Sequence, residues 1–305
     1  MDKVQVLMST YNGEAYIEEQ LQSILQQTYH NIVILIRDDG SSDNTVPIIQ
    51  KFMDIYPDKI RFIKGSNVGV IQSFFNLLHS ADLDASYFCF CDQDDVWMND
   101  KVERSVQFLH LCDTAGMYFS STMLADQNLS PIKVWPTPPK KDPHFYNAIV
   151  QNIAVGATMA INKAARDIIV SKIINMKHLQ MHDWWVYLCV SAFGKVYYDE
   201  RPTIYYRQHN NNVVGGHRTI LHELRNKWRS FRKHSGHKLL KKQAVEFNKI
   251  YVELLDAEKL NQLQLFIQDR KSIKERCRFL QRSKLYRQSF LENQLFRFLV
   301  LIEYV

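Results

Sequence analysis

Residues 4–38 read VQVLMSTYNGEAYIEEQLQSILQQTYHNIVILIRD, and two hydrophobic periods alternate within them. Val4 to Met8 is a short apolar run of strand type. From Glu14 to Gln27, Ile17, Leu21, Ile24 and Leu25 recur at helical spacing among Glu and Gln, and Ile32 to Ile36 is strand-like again. The alternation continues outward. Ser42 or Asp43 can cap a helix in which Val46, Ile49, Phe52 and Met53 repeat at spacings of three and four. Strand-like Ile60 to Ile63, a helix near Val70 to Leu78, strand-like Tyr87 to Cys91 and a helix from about Asp100 to Leu111 follow. Strands alternating with helices of this length predict right-handed βαβ units around a mainly parallel sheet, an α/β domain.

Between about Met117 and Asn147 the pattern loosens, with Pro131, Pro136, Pro138, Pro139 and Pro143 in one loop-rich stretch. Ile153 to Ile161 then reads as a strand, Ala164 to Ile174 as a helix and His182 to Ala192 as a nearly all-apolar buried helix. Lys195 to Tyr198 and Thr203 to Tyr206 read as a strand pair turned at Pro202. From about Arg218 onward Gly and Pro almost disappear, leaving only Gly236, and a helical tail is predicted.

The 305 residues are 46% apolar and 23% charged with 10 Gly and 8 Pro, which excludes collagen-like and disordered chains. No apolar run approaches the ~20 residues that cross a bilayer, and the N-terminal apolar stretch is too short for a secretory signal. A cytosolic protein is expected. Cys89, Cys91, Cys112, Cys189 and Cys277 lack metal-type spacing and read as reduced thiols. The whole-chain charge of +6 hides a division: residues 1–217 carry 18 Lys and Arg against 23 Asp and Glu, whereas 218–305 carry 20 against 9. A basic region of this kind meets an anionic surface, either nucleic acid or acidic lipid.

Ligands of open parallel sheets bind outside the carboxyl ends of the strands. That rule selects Thr10 to Gly13, Asp38 to Ser41, Asn67 to Gly69 and Asp92 to Asp95, and it gathers five carboxylates at one edge. Like charges so close require a cation or donor groups, although turn chemistry alone accounts for Asp38 to Ser42. An Asp-x-Asp pair is weak evidence by itself, as Asp82-x-Asp84 shows. Asp92-x-Asp94 differs in following the apolar strand Tyr87 to Cys91 directly. Hard carboxylate oxygens suit Mg²⁺ or Mn²⁺, which complete their shells with phosphate oxygens and water. Glycine-rich phosphate cradles are absent from the sequence, so diphosphate charge falls to a metal.

Val6-Leu-Met-Ser-Thr-Tyr-Asn-Gly13, Ile36-Arg-Asp-Asp-Gly-Ser-Ser-Asp43 with Thr45, Asn67-Val-Gly69 and Cys91-Asp-Gln-Asp-Asp-Val-Trp97 occur in one order and spacing. Together they resemble the motifs of family 2 glycosyltransferases with the GT-A fold, a Rossmann-like, mainly parallel sheet flanked by helices. With Gly156-Ala-Thr158, Met181-His-Asp-Trp184 and Tyr206-Arg-Gln-His209, the chain is most similar to bacterial rhamnosyltransferases of streptococcal-type rhamnose polysaccharides. The resemblance covers roughly residues 3–215. It implies a GT-A catalytic domain over 1–217, with a nucleotide-sugar half to about 115 and an acceptor half over about 116–217. A basic helical C-terminal region follows over 218–305.

The resemblance also implies roles. Thr10 and Tyr11 lie against the nucleoside, and Asp39, with Asp38 beside it, accepts from the pyrimidine N3–H. Asn67 and Gly69 belong to the same donor-binding edge. Asp92 contacts the ribose or orients the metal, Asp94 ligates it, and His209 approaches the metal or the diphosphate. Asp183 matches the catalytic base of an inverting transfer. Many members have Glu-Asp where this chain has His182-Asp183, which leaves the part of His182 open on the acceptor side. Trp97 and Trp184 are candidates to stack on sugar rings or to fill the core, Gly156 to admit the acceptor, and Arg207 to pair with the diphosphate. Asp183 as a helix cap is the plain alternative.

The expected donor is dTDP-L-rhamnose or, alternatively, a UDP-sugar, with Mn²⁺ or Mg²⁺ as cofactor. The expected acceptor is a polyprenyl diphosphate-linked glycan. Nine Lys or Arg between Arg218 and Lys242 alternate with apolar and aromatic residues, as in a helix lying on an anionic membrane. A solvated face or an oligomer contact accounts for the same pattern, and Phe290 to Val305 is apolar enough to join the membrane or to make a homodimer. A nucleic-acid binder is disfavoured because residues 1–217 are acidic and no groove-reading motif is present. A catalytically silent sugar-nucleotide scaffold remains a third reading.

Overall fold

The computed structural model describes residues 1–208 and 239–304. Two compact units emerge from its internal contacts, and they do not follow the linear order. One holds Met1–Pro138, Ala154–Ser171 and the described residues of Phe193–Val213; the other holds Pro139–Ile153, Lys172–Ala192 and the described residues of Val214–Val305.

The first unit is α/β. Its larger sheet has seven strands in the order β10-β6-β9-β4-β1-β2-β3. Here β1 is Val4–Thr10, β2 Ile32–Asp38, β3 Ile60–Lys64, β4 Tyr87–Cys91, β6 Ala115–Ser120, β9 Ala160–Asn162 and β10 Gly194–Asp199. The pairings β1–β2, β1–β4, β2–β3 and β6–β10 are parallel, and β9 runs antiparallel to both β4 and β6. Helices α1 (Ile17–Leu25), α2 (Thr45–Ile55), α3 (Val70–Ser80), α4 (Lys101–Leu109) and α6 (Lys163–Val170) belong to this unit. Every residue of Tyr87–Cys91 is buried, as the continuous apolar run requires of a strand covered on both faces. Parallel register puts Thr10 beside Asp38 and Met8 beside Cys91, so the turns after β1, β2 and β4 leave one edge of the sheet. The chain winds from β1 through β2 to β3 and then crosses to β4 on the other side of β1. That reversal opens a crevice between the ends of β1 and β4.

A second, four-stranded sheet has the order β5-β11-β7-β8, with β5 at Val96–Trp97, β7 at Thr122–Ala125, β8 at Pro131–Trp135 and β11 at Ile204–Arg207. Three readings of the sequence change here. The loop-rich stretch 117–147 contains most of β6 and all of β7 and β8. Lys195 to Tyr198 and Thr203 to Tyr206 do not pair with each other, because β10 joins β6 in the large sheet while β11 joins β5 and β7 in the small one. Ile153 to Ile161 is not one strand: Gly156–Thr158 forms a 3-10 turn, and only Ala160–Asn162 pairs. The cap of α2 also differs. Asn44 occupies the N-cap position without capping the helix, its Nδ2 donating instead to Glu14 Oε2 at 2.8 Å, while Asp43 Oδ1 accepts from Thr45 N at 3.0 Å and Thr45 Oγ1 at 2.5 Å.

The second unit is helical, comprising α5 (Phe145–Ala148), α7 (His182–Phe193, to Ala192), α8 (Leu239–Tyr251), α9 (Ala257–Ile267), α10 (Ile273–Arg282) and α11 (Phe290–Leu301). Helix α7 is apolar nearly all round, so it needs neighbours on several sides. Trp185 supplies one contact, meeting Phe247 edge-on at 5.7 Å and Tyr251 at 6.3 Å. No described helix is long and apolar enough to cross a membrane.

A buried ion pair ties α4 to β10 in the first unit. Arg104 Nη2 donates to Asp199 Oδ2 at 2.7 Å, and Tyr118 Oη donates to the same oxygen at 3.1 Å. Burial opposes the charge, but Arg201 and Arg104 prevail and hold the Asp199 carboxyl down to about 2. Breaking one side of such a pair leaves an uncompensated buried charge. Asp199→Asn is therefore expected to cost about 3 kcal/mol, read as a lower urea midpoint; an unchanged midpoint would remove the pair from the determinants of stability.

Candidate active site

The four turns at the carboxyl edge of the large sheet are laced together by side chain to backbone hydrogen bonds. Asn12 N donates to Ser41 Oγ at 2.9 Å, Ser42 N to Asn12 Oδ1 at 2.9 Å, and Gly13 N to Thr45 Oγ1 at 2.7 Å, so the turns after β1 and β2 form one rim. Gln93 extends it to β4: its Oε1 accepts from Tyr11 N at 2.8 Å and its Nε2 donates to Tyr11 O at 3.0 Å. A Cβ on Gly13 would sit 2.3 Å from Gln93 Oε1, so this position admits only glycine while Gln93 holds that pose.

Asp39 joins the turn after β3. Its Oδ1 accepts from Arg37 Nη1 at 2.6 Å and Val68 N at 2.8 Å, and its Oδ2 accepts from Gly69 N at 2.9 Å. Both Arg37 and Asp39 are buried. A carboxylate oxygen accepts two bonds, so one acceptor position on Oδ2 is left for a ligand. Gly69 reaches its place with a φ of +83°, a left-handed conformation that favours glycine. Asp38 does different work: it has no exposed surface and accepts from Gly40 N, Ser41 N, Ser41 Oγ and Thr10 Oγ1, which closes the turn from within. Thr10 is buried with it, whereas Tyr11 and Asn67 are exposed on the rim.

Asp92 and Asp94 follow β4 and are half-buried. Gln20 Nε2 donates to Asp92 O at 3.1 Å, and Arg207 Nε donates to Asp94 O at 3.1 Å, so the turn is gripped through its carbonyls. Arg207, expected at the diphosphate, is buried; it also donates to Gln127 O, pairs with Glu19 and lies over the Tyr16 ring. Its backbone N–H donates to Asp95 Oδ1 at 3.3 Å, while Asp95 Oδ2 is buried without a hydrogen-bond partner. Burial, then the charges of Asp94 and Asp92, raise the Asp95 carboxyl well above the usual range, which favours its neutral form. Asp92 and Asp94 thus supply two hard donors, and among the described residues no set of three His, Cys, Asp or Glu side chains gathers around one point. Such a pair fits an ion that takes most of its shell from phosphate oxygens and water.

Trp97 is buried in β5 with the Lys101 ammonium 4.3 Å from its ring centroid, which makes it a core residue rather than a platform for a sugar. Gly156 starts the 3-10 turn before β9, and Ser120 N donates to Thr158 Oγ1 at 3.2 Å in that turn. His209 lies outside the described residues.

His182, Asp183 and Trp184 open α7 in the helical unit. Asp183 lies in the first turn rather than at the cap, and its Oδ1 accepts from Trp184 N at 2.6 Å. Both His182 and Asp183 are buried, and half-buried Trp184 donates from Nε1 to Ala148 O at 2.7 Å. Two residues of α8 hold the segment leading into α7. Glu246 accepts from Asn175 N at 3.0 Å and meets His178 Nδ1 at 2.9 Å, and Gln243 Oε1 accepts from Gln180 N at 2.9 Å.

A profile described as glycosyl transferase family 2 matches residues 5–167. The chain belongs to this family. Within it, a dTDP-rhamnosyl transferase of Shigella flexneri, RfbG, is 34% identical over 72% of this chain and 80% of its own length. An Escherichia coli enzyme, UDP-Glc:alpha-D-GlcNAc-diphosphoundecaprenol beta-1,3-glucosyltransferase WfaP, is 26% identical over 70% of this chain and 80% of its own. The fold matches Staphylococcus aureus TarS 1–349 in complex with UDP-GlcNAc with a TM-score of 0.59 at 16% identity, over 87% of this chain and 71% of that one. It also matches mannosyltransferase PcManGT of Pyrobaculum calidifontis, in complex with GDP-Man and Mn²⁺, with a TM-score of 0.53 at 15% identity, over 93% and 76%. The α/β unit is therefore the GT-A fold of a family 2 glycosyltransferase.

Sequence reasoning passed over Glu19, Gln243 and Glu246 in this glycosyltransferase, and it placed Arg37 and Gln93 within motifs without giving either a role of its own. Arg37 carried the one available signal, a lone cation at the end of an apolar strand beside two Asp. Burial alone lowers His182 to about 3, so its ring is neutral at working pH. The sign follows: the unfolded chain takes up a proton near pH 6.5 that the folded chain refuses, so His182 lowers stability as pH falls below 6.5. The slope contributed is about 1.4 kcal/mol per pH unit between pH 6 and 4. Thermal melts across that window are expected to show a smaller slope for His182→Gln, and equal slopes would mean the imidazole protonates in place.

Proposed function

We propose that this enzyme transfers L-rhamnose from dTDP-L-rhamnose to a hydroxyl of a lipid-linked cell-wall or capsular glycan, with inversion at the anomeric carbon. The observation that carries the donor is the 34% identity to a dTDP-rhamnosyl transferase over most of both chains. The name of WfaP specifies a diphosphoundecaprenol-linked acceptor, which supports the lipid-linked class. The same relative favours one alternative, a UDP-sugar donor.

The donor half is assigned to about residues 1–115, all within the α/β unit, and the acceptor half to about 116–217, which the two units share. Residues 218–305 form the basic region, of which 239–304 are described and carry helices α8 to α11. On the donor side, the remaining acceptor position of Asp39 suits the N3–H of a thymine or uracil, and exposed Tyr11 suits its ring face. Asn67 and Gly69 line the same rim. Asp92 and Asp94 would hold Mn²⁺ or Mg²⁺, with His209 as a further ligand. When bound, the ion stabilises the departing diphosphate as a Lewis acid.

Asp183 is assigned as the base that takes the proton from the attacking hydroxyl, a role worth typically 10² to 10⁴ in rate. His182 stays neutral beside it, and acceptor binding is assigned to Trp184 and, separately, to Gly156. Such an enzyme works at the cytoplasmic face of the membrane, where the diphosphate end of a polyprenyl carrier lies, and it attaches there peripherally.

A donor screen by nucleotide release over dTDP-rhamnose, UDP-galactose, UDP-glucose and UDP-N-acetylglucosamine tests the reading. Turnover of dTDP-rhamnose is expected, and all four donors intact with metal and acceptor present would sink it. Asp183→Asn should retain donor affinity and lose transfer by at least about 100-fold. Lost donor binding in that variant would make the residue structural. For Asp94→Ala, transfer should fall and the metal titration shift upward; an unmoved titration takes it off the ligand list.

A further inference from the structure

Asp39 offers a nucleobase one hydrogen bond and not two, and Arg37 is the reason. A carboxylate has about four acceptor positions, two on each oxygen. On Oδ1 both are taken, by Arg37 Nη1 at 2.6 Å and Val68 N at 2.8 Å, and on Oδ2 Gly69 N takes one at 2.9 Å. The position left on Oδ2 accepts and can do nothing else. Neither partner of the pair can step aside. Arg37 Nη1 also donates to Ser73 Oγ on α3 at 3.0 Å, and Nη2 donates to Ser66 O after β3 at 3.0 Å. Ser73 Oγ lies in turn 2.6 Å from Ser9 Oγ on β1. Gly65 packs so closely on the guanidinium that a Cβ there would collide with it. Asp39 is fixed from its own backbone, whose N–H donates to Thr10 O at 2.7 Å. Both side chains are 5% exposed, so little water reaches Oδ1 to loosen the pair.

We infer that Arg37 is a positioning residue that sets nucleobase specificity: by closing Oδ1 it makes Asp39 a single acceptor, which suits a ring with one N–H to give and rejects guanine. Its basis is the donor reading proposed above, in which the base meets Asp39. Guanine presents two donors side by side, N1–H and the 2-amino group, and a carboxylate meets both only with a free position on each oxygen. Against Asp39 the amino group is left unpaired, which costs binding. Thymine and uracil present one N3–H between two carbonyls. With the guanidinium on Oδ1, a carbonyl that comes to rest beside that oxygen meets a charge already compensated. Cytosine brings a ring-nitrogen lone pair where the N–H should be, so two acceptors face each other.

Calorimetric titration of the full chain with dTDP, UDP, CDP, GDP and inosine 5′-diphosphate, all with Mn²⁺, tests it. Hypoxanthine, the base of inosine, is guanine without the amino group, so the two purines isolate the second donor at constant ring size. Tight binding is expected for dTDP and UDP, binding at least about tenfold weaker for CDP, and inosine diphosphate about tenfold tighter than GDP. Arg37→Met frees a position on Oδ1, so the preference between the two purines should shrink to within about threefold while dTDP weakens. Damage to the fold alone would weaken every nucleotide alike and leave that preference unchanged. Equal binding of the two purines to the wild type, or exclusion of both, overturns the inference, since ring size then makes the choice. CDP as tight as dTDP, or an unaltered purine preference in a folded Arg37→Met chain, does the same. Where the variant does not fold, the wild-type comparison decides. Failure of dTDP and UDP to bind removes the base from Asp39 and overturns the donor reading along with the inference.

Discussion

The charge pair of Arg37 and Asp39 is the fixture from which the donor edge hangs. Two ions buried at the end of a central strand are tolerated only when each meets the other and further polar groups complete their bonding. Here the further groups are the amides of Val68 and Gly69, the hydroxyl of Ser73 and the carbonyl of Ser66, the last two both 3.0 Å from Arg37. Satisfying the pair thus pulls the turn after β3 onto the end of β2. Gly65 reports how tight the fit is, for a Cβ there would lie 2.4 Å from Arg37 Nη2. The turns have little apolar surface of their own, so hydrogen bonds set their shape, and the pocket is as firm as this network.

Much of the architecture was legible because the first hundred residues repeat one physical pattern. Apolar runs of strand length, buried on both faces, alternate with stripes of helical period, and few folds accept that order. Legibility ended where burial came from tertiary neighbours. Ala115–Ser120 reads AGMYFS, with no alternation to mark it, yet every residue is buried because β9 and β10 flank it. The run from Ile153 to Ile161 carried the opposite deception: it is apolar enough for a strand, but its Gly156–Thr158 portion turns.

At the site, residues that occupy the ends of strands could be named from position alone, as with Asp39, Asp92 and Asp94. Residues that act by gripping a distant stretch could not. Gln93 works through Tyr11, Arg207 through the carbonyl of Asp94, and Glu246 through Asn175 and His178, and nothing local in the sequence announces such partners. Trp97 shows the converse, since an aromatic next to a carboxylate cluster invites a ligand role until its ring proves to be covered by Lys101.

The tail read as an appendage proves, in α8, to be a wall for α7. Because α7 is apolar nearly all round, it stays unfinished until Phe247 and Tyr251 cover Trp185. Synthesis runs at about 5 to 20 residues per second, so α7 leaves the ribosome roughly 2 to 9 seconds ahead of the segment that shields it. For that interval the nascent chain displays a sticky helix, a natural hold-point for a chaperone and a reason for early-terminated products to clump rather than accumulate as a smaller working enzyme.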